Sequence, residues 1–107
     1  MKIARSLVLI LLLSEVVSAQ GYIPPNGFIP DEKTAIAVAE AVLMPVYGMK
    51  HIEHERPFKA VLKDQVWRVS GTLNCGTLRP GVVCMGGTAV VEISKTDGRI
   101  ISMVHYK

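Results

Sequence analysis

Phe58-Lys-Ala-Val-Leu-Lys63, Val66-Trp-Arg-Val-Ser-Gly-Thr-Leu73, Thr88-Ala-Val-Val-Glu-Ile-Ser94 and Arg99-Ile-Ile-Ser-Met-Val-His-Tyr106 are short runs in which apolar and polar residues largely alternate. A strand points successive side chains to opposite faces, so alternation puts the apolar set on one side and the polar set on the other. The breaks between runs carry turn chemistry. Asp64-Gln65 leaves room only for a tight turn, and Lys95-Thr-Asp-Gly98 supplies the Asp-Gly pair that tolerates positive φ. Residues 74–87 form a longer loop holding Pro80, several glycines and both cysteines. The expectation is a four-stranded antiparallel meander with one packed face and one wet face.

Working outward, Pro30-Asp-Glu-Lys33 opens a helix, with proline and two acids suited to the first turn. At helical spacing Ala35, Ile36, Val38, Ala39, Val42, Leu43 and Val46 share a broad apolar arc, while Lys33, Thr34, Ala37, Glu40 and Ala41 lie opposite. Pro45 is expected to kink or end the helix, with Gly48 as a stop. Residues 49–57 read as a solvated, highly charged hinge. One helix followed by four strands predicts an α+β fold, the N-terminal helix packed on a curved four-stranded antiparallel sheet.

The first residues read as a targeting segment. Lys2 and Arg5 precede an apolar run over residues 6–13, and Val17-Ser18-Ala19 offers small or compact residues for cleavage. The expected organisation is a signal peptide at 1–19, an extended segment at 20–29 with an Asn26-Gly27 turn, and one domain at 30–107. Ser14 and Glu15 interrupt the run well short of the ~18 residues that a membrane span needs, so no stable membrane insertion is expected after cleavage. Loss of Lys2, Arg5 and Glu15 lowers the formal net charge from +3 to about +2. That charge is small and scattered, which argues against nucleic acid as a partner.

An exported chain meets an oxidising compartment, and Cys75 and Cys84 have no third cysteine to compete for them. A disulfide is the favoured reading, with free thiols as the alternative. A metal is poorly served by the neighbouring Asn74, Gly76 and Met85. His51 and His54 lie near Glu53 and Glu55, but His105 is at the far end of the chain, so a third imidazole ligand is not in view. No nucleophile motif or carboxylate pair stands out. Glu92 reads as a cross-strand ion-pair partner of Lys95 or Arg99, and Trp67 and Phe58 read as core anchors. No catalytic residue, cofactor or metal is expected.

Taken in order, Asp31-Glu-Lys-Thr-Ala-Ile-Ala-Val-Ala-Glu40, Val46-Tyr-Gly48, the Arg56-Pro-Phe58 to Leu73 block and the Gly86-Gly-Thr88 to Ile100 block resemble the NTF2-fold immunity proteins of bacterial polymorphic toxin systems. The resemblance implies an NTF2/cystatin-like arrangement and a protein that binds and neutralises a cognate toxin. Joined to the targeting segment and to the lack of a catalytic constellation, it leads to the expectation of an exported, periplasmic and non-enzymatic immunity protein. Candidate toxin contacts are Leu78 and Arg79 in the cysteine-bearing loop, and His51, Glu53, His54, Glu55 and Arg56 in the charged hinge. The competing readings are a cystatin-like protease inhibitor, a PepSY-like regulatory module, or a small NTF2-type enzyme using a pocket around Glu92 or His105.

Overall fold

The computed structural model describes residues 19–76 and 79–107. The expected signal segment, Ala19 apart, and Leu78 lie outside the described residues. The elements are α1 (Glu32–Tyr47), α2 (Met49–His54), β1 (Lys59–Lys63), β2 (Val66–Ser70), β3 (Ala89–Ser94) and β4 (Ile100–His105). The four strands pair antiparallel in the order β1-β2-β3-β4, an α+β meander with α1 laid across one face.

The turns form where their residues permit. Asp64 and Gln65 both take positive φ, 51° and 63°, a two-residue hairpin whose twist matches that of the flanking strands. Register follows from the alternation. Trp67 pairs with Ile93, Val69 with Val91, Val91 with Met103, and Ala89 with His105. These residues therefore share the helix-facing side. Trp67, Val69, Ala89, Val91 and Ile93 are buried there against Ala35, Ala39 and Leu43 of α1. The two alanines are fully buried, so the helix backbone lies close to the sheet.

Asp31 is the N-cap of α1, not a first-turn residue, and its carboxylate accepts the Thr34 N–H at 2.7 Å. The helix continues through Pro45 to Tyr47 and stops at Gly48, whose φ of 97° ends it. Val46, expected on the packed arc, is exposed; in this last turn it is Tyr47 that packs against the core, beside His105.

The chain before α1 is pinned. The Phe28 and Ile29 N–H groups donate to the carbonyls of Thr96 and Lys95, each at 3.1 Å. Ile29 is buried, and its carbonyl accepts the Trp67 indole N–H at 2.8 Å. Gly27 is needed at this junction. It takes φ 82°, and a Cβ there would lie 2.4 Å from the Lys95 carbonyl oxygen.

Two expected outcomes follow. Trp67→Phe keeps most of the apolar bulk but leaves the buried Ile29 carbonyl unpaired, and should cost roughly 1–3 kcal/mol in chemical denaturation. The second concerns pH. Hydrogen bonds from Thr34, through its side chain and then its backbone N–H, lower the Asp31 pKa from its ordinary 3.8, with Lys33 assisting. The folded state thus binds the proton less readily than the unfolded chain. The contribution of Asp31 is complete above about pH 3.8 and is lost as pH falls through the lowered folded value. The stability gap between the wild type and Asp31→Asn, followed by circular dichroism, should change across that acid window and stay flat above it.

Candidate functional site

Residues 49–57 are largely exposed, as expected of a solvated hinge, but they are helical in part and two of them are buried. Met49–His54 is a short helix, α2, and Ile52 is fully buried under α1 and the sheet. Glu55, expected on an exposed surface, is the C-cap of α2 and is buried. A buried carboxylate is costly unless its lone pairs are used, and here both oxygens are engaged. Oε1 accepts the Ala89 backbone N–H at 2.7 Å. Oε2 lies 3.0 Å from His51 Nε2 and 2.8 Å from His105 Nε2.

The backbone around Glu55 is clamped by the chain leaving β2. The Thr72 N–H donates to the Glu55 carbonyl at 2.7 Å, and the Thr72 hydroxyl donates to the Pro57 carbonyl. The Asn74 side-chain amide donates to the His54 and Arg56 carbonyls, each at 2.7 Å. Gly71 permits the approach: a Cβ there would lie 2.7 Å from Glu55 Oε1.

The helix-facing register carries His105 to this point. It lies opposite Ala89, on the side of β4 that also presents Met103. The Tyr47 ring rests beside it, with centroids 5.2 Å apart. His51 is one helical turn before Glu55, so both reach the same spot. The two imidazoles, 54 residues apart in sequence, bring their Nε2 atoms within 3.0 Å. The expectation that His105 lies too far away to join His51 is therefore overturned. Its place was concealed because antiparallel pairing, rather than sequence spacing, brings β4 beside α2. His54 takes no part in this cluster.

The other end of the candidate surface is the loop between β2 and β3. Cys75 and Cys84 are joined, with Cα atoms 5.8 Å apart. Arg79 is exposed. Val82, Val83 and Met85 flank Cys84 and are exposed by 51%, 75% and 86%, an apolar group that the sequence reading passed over. Asn74, through its bonds to the α2 end, joins this loop to exposed His51, Glu53, His54 and Arg56. Arg56 also pairs with Glu40 of α1. Glu92 faces the opposite side of the sheet. Its partners are Arg68 at 3.9 Å and the Ser102 hydroxyl at 2.9 Å, not Lys95 or Arg99 as expected. Arg99 pairs instead with Asp97, because the turn folds it back.

Residues 34–107 match the family described as NTF2 fold immunity protein. Among curated proteins, the chain is similar to the "Uncharacterized protein YhhH" of Escherichia coli (strain K12), at 27% identity over 89 residues. The aligned part is 83% of this chain and 65% of that relative, so the chain spans less than two thirds of the relative's length. No solved structure matches the chain.

Gly71→Ala should displace the Glu55 carboxylate and cost roughly 1–3 kcal/mol by overpacking. The His105 ring resonances should shift in a proton–nitrogen NMR spectrum. Gly21→Ala, in open space, should leave both stability and spectrum unchanged.

Proposed function

Because the chain belongs to the NTF2 fold immunity protein family, we propose that it is an exported, non-catalytic inhibitor that protects its cell by binding a cognate toxin. The observation that carries this reading is the family match over residues 34–107 together with the helix-on-meander fold. Export is supported by the basic, then apolar, then small-residue pattern of residues 1–19, which we read as a cleaved signal peptide. The Cys75–Cys84 bridge suits an oxidising compartment, and the periplasm is the compartment we infer. Among the described residues, no helix is long and apolar enough to cross a membrane.

The proposed contact surface is the bridged loop with the adjoining outer side of α2. The bridge restrains the loop before it binds, so less conformational entropy is lost on docking. Val82, Val83 and Met85 offer an apolar centre, and exposed Arg79 adds a charge in the same bridged loop. Exposed His51, Glu53, His54 and Arg56 form a polar rim, the arrangement expected of a protein–protein interface. Glu55 acts from beneath by holding this edge in place. The mechanism is steric: a restrained loop covers the toxin's working surface.

The test is survival of cells that direct a cognate toxin to the periplasm. The full precursor should protect, and a version lacking residues 1–19 should not. Val83→Glu or Arg79→Glu should weaken binding by tenfold or more, equivalent to about 1.4 kcal/mol or above. Protection at far less than one copy per toxin molecule would indicate turnover and overturn the binding reading.

A further inference from the structure

We propose that His51, Glu55 and His105 form a binding site for one divalent transition-metal ion, with zinc as the cation it fits best. His51 Nε2, His105 Nε2 and Glu55 Oε2 make a nearly equilateral triangle with edges of 3.0, 3.0 and 2.8 Å. An ion about 2.1 Å from each atom sits roughly 1.2 Å above the plane of that triangle. The edges need to open by only about half an ångström to reach the spacing of tetrahedral ligands.

Proton accounting favours a cation at the centre. Each edge of the triangle needs one hydrogen to be attractive. A ring Nε2 carries at most one hydrogen, and a hydrogen aimed along one edge is not aimed along the other. Two imidazoles and one carboxylate oxygen therefore satisfy at most two of the three edges. The remaining edge sets lone pair against lone pair, or hydrogen against hydrogen. A single cation accepts all three lone pairs together.

The surroundings have the character of a supported site. Oε1 of Glu55 is held by the Ala89 N–H, which keeps Oε2 turned toward the imidazoles. The carboxylate is buried, its side chain 7% exposed, while the imidazoles are 54% exposed at His51 and 20% exposed at His105. The ion thus has an entry path and an open fourth position toward solvent, which water can fill. Two imidazole nitrogens and one carboxylate oxygen select a borderline transition metal over calcium or magnesium, which prefer sites made of oxygen alone. The bound ion would tie α2 to the end of β4, a second staple near the disulfide. This site does not rest on the toxin reading.

The experiment uses untagged protein stripped with chelator and titrated with zinc chloride by calorimetry. Cobalt(II) provides a visible-absorption readout of coordination. One equivalent of zinc should bind and raise Tm, with magnesium having no effect. His51→Ala and His105→Ala should each weaken zinc binding at least tenfold and abolish the cobalt absorption bands. His54→Ala, one residue from Glu55 but outside the triangle, should bind as the wild type does. His51 is largely exposed, so its loss leaves the core intact and the readout interpretable. Failure to bind micromolar zinc, or zinc binding retained in His105→Ala, would overturn the proposal. Dependence on His54 in place of His51 would overturn it as well.

Discussion

The buried carboxylate of Glu55 is the interaction around which this end of the molecule is arranged. It joins segments far apart in sequence: α2 supplies it, β3 offers the Ala89 N–H, and β4 brings His105. The segment leaving β2 grips its backbone through Thr72 and Asn74. A charge placed here without these partners would cost several kcal/mol, so the approach of Gly71 and the close fit of these segments are mutually required. At the opposite end, the Trp67 indole reaches the Ile29 carbonyl and fixes the chain entering α1. Between these polar anchors lies an apolar core of small helix residues and branched strand residues.

This arrangement makes one edge of the molecule distinct. Beside the Glu55 cluster the chain leaves the sheet as a bridged loop that carries its apolar side chains outward. A bridged, partly apolar loop beside a polar rim suits recognition of another protein. The wet face of the sheet offers a different chemistry: Arg68, Glu92 and Ser102 engage one another across the strands. The family to which the chain belongs and the form of the loop therefore point the same way, toward binding.

The strands were legible because each carries its own periodic record. Val66 to Ser70 alternates between core and solvent, and its apolar residues Trp67 and Val69 lie opposite buried Ile93 and Val91 of β3, a strand buried at every position but Glu92. The α1 arc was legible for the same reason, and so was the family resemblance, since the quoted blocks contain the strands and turns that build the fold. α2 was not legible. It is only six residues long, largely polar, and buries one apolar side chain, too few for a periodic signal. The cluster was missed because its members become neighbours only through the meander. A sequence clue existed: His105 shares parity with Met103, on the packed face of β4, so an imidazole there needed a partner. Gly71 was a second clue, a glycine in a strand run that marks the close approach of another chain segment. Neither clue names Glu55 without the fold.

The Glu55 carboxylate, rather than a neighbouring strand, holds the first amide of β3. Residue-resolved hydrogen exchange of the wild-type protein tests this directly at the Ala89 amide. Strong protection is expected there, comparable with that of Val91 in the strand interior. Exchange of the Ala89 amide at the rate of an exposed loop, with Val91 still protected, would contradict it.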